Sequence, residues 1–124
     1  MSSRLLFVDD EDAIRVIAAI SLERIGGWKV IAAASGQAAL EALQDDGPFD
    51  AVLMDVMMPG LDGPSTLERM RDGVVASELP VIFLTAKAGD SERERLLSFG
   101  AKGVIAKPFD PMTLSEQLRQ ILER

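Results

Sequence analysis

The sequence predicts an α/β fold: five parallel strands, each followed by a helix, with helices on both faces of the sheet. Three observations carry this. Short runs such as Leu5-Leu6-Phe7-Val8 and Ala51-Val52-Leu53-Met54 are apolar without polar alternation, the pattern of a strand covered on both faces. Longer amphipathic segments alternate with them. The links are too short for anything but right-handed crossovers, which gives a doubly wound arrangement.

Taken in order, Leu5 to Val8 is the first strand, ending at Asp9 and Asp10. Asp12 is the expected N-cap of a helix carrying Ile14, Ile17, Ala18, Leu22 and Ile25 on one buried stripe, and Gly26-Gly27 stops it. Lys29 to Ala33 forms the second strand. Ser35 caps a helix bearing Ala39, Leu40 and Leu43, ended by Asp45-Asp46-Gly47-Pro48. The third strand, Ala51 to Met54, stops at Asp55 before the loop Val56-Met57-Met58-Pro59-Gly60-Leu61-Asp62-Gly63. Pro64, in a first turn, opens a helix through Leu67 and Met70 to about Asp72.

Val74 to Leu79 reads as a looser connection, after which Pro80 admits the fourth strand, Val81 to Leu84, closing on Thr85. Asp90 or Ser91 caps the next helix, whose charged run Glu92-Arg93-Glu94-Arg95 reads as a solvated face with local ion pairs. Its buried side is Leu96, Leu97 and Phe99, and Gly100 ends it. Gly103 to Ala106 is the fifth strand, reaching Lys107-Pro108, and the last helix carries Leu114, Leu118, Ile121 and Leu122. Trp28, Met54 and Met70 read as packing residues.

Composition narrows the function. A length of 124 residues with 48% hydrophobic side chains suits one domain spanning 1–124 with one full core. A net charge of −7 argues against direct binding to nucleic acid or to an anionic membrane. With neither Cys nor His, a disulfide framework and the usual zinc ligands are excluded, so any metal must be hard and oxygen-bound. Asp9-Asp10-Glu11-Asp12 interrupts the first apolar segment, leaving no signal sequence or membrane-spanning run, and a cytoplasmic location is the default expectation.

The strand ends carry the chemistry. In an open parallel sheet ligands bind at the carboxyl edge, and here that edge collects Asp9, Asp10, Asp55, Thr85 and Lys107. Two carboxylates about 4 Å apart repel by roughly 4 kcal/mol at an effective dielectric near 20, so three converging need a cation or a raised pKa. Mg2+ is the natural partner for such oxygen ligands. Lys107 suits one side of a phosphate, and the Thr85 hydroxyl can donate to a phosphate oxygen. A carboxylate nucleophile beside Mg2+ and a Lys is a phosphoryl-transfer arrangement, which points to an aspartyl phosphate at the most central acid, Asp55.

In Val8-Asp9-Asp10-Glu11, the Asp55 to Gly63 segment, Leu84-Thr85-Ala86 and Lys107-Pro108-Phe109, the whole chain resembles a receiver domain of the two-component response regulators. The resemblance implies the flavodoxin-like strand order 2-1-3-4-5 and a cis bond before Pro108. It implies Asp55 as phosphoacceptor, Asp10 as a direct Mg2+ ligand, Asp9 as one acting largely through water, and the main-chain carbonyl of Met57 as another. Thr85 would turn inward to the phosphoryl group, Ala86 would leave it accessible, and Lys107 would pair with it. The implied partners are a histidine kinase or histidine phosphotransfer protein, an output partner, and a second copy in a phosphorylation-dependent homodimer. The surface of the fourth helix, fifth strand and fifth helix, near Arg93, Lys102, Val104 and Asp110, would be the output face. The only reactions such a domain catalyses are its own phosphorylation and dephosphorylation.

One position departs from the family. Val104 stands where an aromatic switch residue is common, and a stiff β-branched side chain has no ring to swing. Any signal would then pass through the loop after Thr85 or the fourth helix. The resemblance also implies that the side chains at Met57 and Lys87, two places after Asp55 and Thr85, tune how fast the phosphate is lost; Met57 cannot orient a water and Lys87 can attract the phosphate, so slow loss is expected. The alternatives fit less well. An Asp-nucleophile phosphatase of the haloacid dehalogenase type needs a second acid where Met57 stands. A receiver-shaped module working without phosphate would have lost acidic, hydroxyl or Lys positions that this chain keeps. A nucleotide-binding fold would want a Gly-rich loop in place of Asp9-Asp10-Glu11.

Overall fold

β1 (Arg4–Val8), α1 (Asp12–Arg24), β2 (Lys29–Ala33), α2 (Gly36–Asp45), β3 (Ala51–Asp55), α3 (Gly63–Asp72), β4 (Val81–Thr85), α4 (Asp90–Ser98), β5 (Gly103–Ala106) and α5 (Leu114–Leu122) succeed one another in a computed structural model. It describes residues 3–73 and 78–124, so most of the connection expected over Val74 to Leu79 lies outside the described residues. The five strands are parallel and lie in the order β2-β1-β3-β4-β5, as the resemblance implied.

Alternation along each strand feeds two apolar layers, because successive side chains point to opposite faces. On one face Leu5, Phe7, Leu53, Ile82, Leu84 and Ile105 meet Ala18 and Leu22 of α1 and Leu114, Leu118 and Ile121 of α5, with Trp28 beside them. On the other, Leu6, Val8, Val52, Met54, Val81 and Phe83 meet Ala39 and Leu43 of α2, Leu67 and Met70 of α3, and Leu96 of α4. Burial of both strand faces is what the unbroken apolar runs require. No described helix is long and apolar enough to cross a membrane.

Helix starts obey local chemistry, with two corrections to the sequence reading. Ser35 caps α2 by accepting from the Ala38 N–H at 3.0 Å. Asp62, not singled out as a cap in the sequence, accepts from the Ser65 N–H at 2.8 Å, with Pro64 in the first turn of α3. Asp12 is not the cap of α1. The extended residue before that helix is Glu11, and Asp12 sits in the first turn paired with Arg15. Neither Asp90 nor Ser91 caps α4, since Gly89 holds the extended cap conformation and Asp90 lies in the first turn. Acids there favour the helix through its N-terminal partial charge without accepting the capping hydrogen bond.

The helix stripes also differ in part. Ile17 and Ile25, expected to be buried, are 44% and 50% exposed, because α1 packs on β1, β2 and α5 through the narrower Ala18, Ser21 and Leu22. Phe99 is 46% exposed at the end of α4, where the Arg95 guanidinium lies 5.5 Å from its ring centroid. Leu96 alone fills the expected buried side there, with Leu97 half-buried. Arg95 and Glu92 form the local ion pair anticipated for the charged run. Val104 is buried in the layer with Phe83 and Leu96.

Candidate functional site at the carboxyl edge of the sheet

The sheet order brings β1 and β3 together, and their chains continue to opposite faces, which opens a crevice beyond their carboxyl ends. Ladder hydrogen bonds run past the strand ends and align the residues just beyond them. The Asp9 N–H donates to the Ala33 carbonyl at 3.1 Å, Val56 N–H to Leu84 at 3.0 Å, and Lys107 N–H to Thr85 at 2.8 Å. Residues from positions 9, 55, 85 and 107 are thereby fixed on one edge. The bond between Lys107 and Pro108 is cis.

Asp9, Asp10 and Asp55 each bring a carboxylate oxygen within 4.8 Å of the other two. Asp9 and Asp55 are buried, whereas Asp10 is exposed. Lys107 joins them: its Nζ donates to Asp9 Oδ2 at 2.9 Å and lies 3.1 Å from Asp55 Oδ2. The second Asp9 oxygen accepts from the Glu11 N–H at 3.0 Å, which ties the acid to its own loop. Thr85 is buried, and its hydroxyl engages the Lys87 backbone, accepting from N–H at 3.1 Å and donating to the carbonyl at 3.3 Å. The Met57 side chain is 78% exposed and Met58 is buried, while Ala86 and Lys87 are exposed.

Burial drives the electrostatics. Desolvation raises the Asp55 pKa above the usual carboxylate value. The Lys107 hydrogen bond and charge oppose this, Asp9 adds repulsion, and the Met57 N–H offsets a little. For Lys107, desolvation works to lower the pKa, but the hydrogen bonds to Asp9 and Asp55 and their charges win and raise it. The donor set suits a hard divalent cation, since every oxygen is carboxylate and one ammonium serves two buried acids.

The sequence reading did not find Arg15, whose Nη1 donates to the Asp9 main-chain carbonyl at 2.7 Å. The available signal was its place in the first turns of α1, three residues after Asp12.

The response regulator receiver domain family model matches residues 5–119. The chain belongs to this family. As a receiver domain it is 41% identical, over 98% of its length, to the transcriptional regulatory protein CseB of Streptomyces coelicolor, of which it covers 50%. It is 34% identical over its full length to the alkaline phosphatase synthesis transcriptional regulatory protein PhoP of Bacillus subtilis, again covering 50%. The chain spans about half the length of the curated relatives it matches. Among solved structures, the chemotaxis response regulator CheY4 of Vibrio cholerae superposes with a TM-score of 0.90 at 30% identity, over 98% of this chain and 99% of that one. The receiver domain of sensor histidine kinase PA1611 from Pseudomonas aeruginosa, solved with a magnesium ion coordinated in the active site cleft, gives 0.85 at 29% identity, each chain fully covered.

Proposed function

We propose that Asp55 is the phosphoacceptor of this receiver domain, taking a phosphoryl group from a histidine kinase or a histidine phosphotransfer protein. A carboxylate oxygen of Asp55 attacks phosphorus, the new O–P bond forms as the P–N bond breaks, and the electron pair leaves with the imidazole nitrogen of the donor. The observation that supports this best is the single Lys107 ammonium shared between buried Asp9 and Asp55, with the Asp10 carboxylate alongside. Asp9, Asp10, Asp55 and the Met57 carbonyl would hold Mg2+, which when bound supplies the positive charge that acids and phosphoryl oxygens together need. Lys107 would exchange its Asp55 contact for a phosphoryl oxygen. Thr85 would exchange its Lys87 contacts for another.

That second exchange releases the loop after Thr85, and through it the face formed by α4, β5 and α5. With Val104 buried and lacking a ring, backbone movement of this loop carries the signal to an output partner or to a second copy. The transcriptional roles named in the relatives suggest an output domain of that kind in a longer regulator. The chain's chemistry would be confined to its own phosphorylation and dephosphorylation in the cytoplasm.

Incubation with acetyl phosphate and Mg2+, followed by intact-mass measurement, tests the assignment. A phosphoryl adduct in the wild type and none in Asp55→Asn is expected. Equal adducts in both, or donor turnover without an adduct, would reject it.

A further inference from the structure

Asp10 is exposed, and no hydrogen bond to its carboxylate is found among the described residues, yet its oxygen converges with those of Asp9 and Asp55. Its direction must therefore come from the backbone. The peptide unit leading into Asp10 carries the Asp9 carbonyl, and Arg15 Nη1 donates to that oxygen at 2.7 Å. Nη2 of the same guanidinium pairs with Asp12, so one planar fork spans the loop from the Asp9–Asp10 peptide to the first residue of α1. The Arg15 side chain is 19% exposed, and a charge-assisted bond partly withdrawn from water is a firm one. Because a peptide is planar and rigid, holding its oxygen restricts the dihedrals on either side and so sets where the Asp10 Cβ points.

We infer that Arg15 is a positioning residue for the metal cluster, aiming Asp10 by gripping the peptide in front of it. This rests on the reading of Asp9, Asp10 and Asp55 as a Mg2+ site. Position and charge make opposite demands. A cation beside three acids weakens their attraction for Mg2+, so removing Arg15 should tighten binding if charge were all that mattered. If the grip on the loop matters, removal loosens it.

Calorimetric titration of the purified protein with Mg2+ separates the two, with the thermal midpoint of the metal-free protein reporting folding. Arg15→Met is expected to bind Mg2+ about tenfold more weakly than wild type. Arg15→Lys keeps the charge but cannot bridge both partners with one plane, and is expected to lose affinity by a smaller factor. Unchanged or tighter binding by Arg15→Met overturns the inference. Should Arg15→Met not fold, Arg15→Lys decides alone: weaker binding supports the inference, and wild-type affinity overturns it. Absence of Mg2+ binding by the wild type, or binding undiminished in Asp10→Asn, would overturn the metal reading itself and this inference with it.

Discussion

Gly63 packs directly against Asp55: a Cβ at Gly63 would lie 2.7 Å from the Asp55 carbonyl oxygen and 2.9 Å from the Phe83 ring. The first residue of α3 thus touches the end of β3, and the Gly63 N–H donates to the Val56 carbonyl at 2.9 Å. Gly63→Ala should cost about 1–3 kcal/mol, because backbone and a buried ring must move to admit one methyl. Urea unfolding measures this, and a change within about 0.5 kcal/mol, the usual limit for a surface substitution, would contradict the packing.

Lys107 compensates two buried carboxylates at once. Lys107→Met should destabilise the metal-free protein by roughly 2–3 kcal/mol, below the usual cost of breaking a fully buried pair because the ammonium keeps some water. Its folded pKa is raised, so its contribution is complete below 10.5 and fades as pH climbs through the folded value. Denaturation curves of the two proteins should differ fully at neutral pH and converge in strong alkali. Addition of Mg2+ should narrow the neutral-pH gap, since a divalent ion supplies the missing charge.

Asp55 behaves in the opposite sense. Its pKa is raised above 3.8 by burial, so ionisation at neutral pH works against the fold, and stability returns as pH falls through the folded value. In chelator-containing buffer Asp55→Asn should be more stable than wild type at pH 7, with the advantage shrinking in acid. A variant less stable than wild type at neutral pH would show that the Lys107 contact outweighs desolvation.

Met57, two residues after Asp55, has an exposed side chain that cannot hold a water by hydrogen bonding. Met57→Asn should hasten loss of phosphate about fivefold, the rate equivalent of one hydrogen bond of about 1 kcal/mol. The decay of the adduct mass after removal of donor measures it. An unchanged lifetime would assign the control of hydrolysis elsewhere.

The strands were readable because both of their faces are buried: the apolar runs at Leu5, Ala51 and Val81 mark β1, β3 and β4 to within a residue. The convergence of Asp9, Asp10, Asp55, Thr85 and Lys107 on one edge was readable for the same reason, since each is the last residue of a strand or stands just past one. Helix faces were less so. The periodicity at Ile17 and Ile25 marks apolar residues, but which of them are covered depends on how α5 and β2 lean on α1. Caps went astray at Asp12 and Asp90, where a first-turn acid and a cap acid differ by one residue in sequence and by a hydrogen bond in space. Arg15 escaped notice because its contact with the site is to a main-chain carbonyl, and its i,i+3 spacing from Asp12 announces only a local ion pair.

Trp28 is the sole indole, the chain has no tyrosine, and the Trp28 ring lies in the α1 and α5 layer, its Nε1 finding no partner among the described residues. Intrinsic fluorescence of this protein therefore reports one side of the sheet, with an emission shifted to the blue by burial. An indole placed at Leu43 in the layer of α2, α3 and α4 would supply a second colour of reporter. The two layers could then be watched loosening in turn during unfolding, each by its own light.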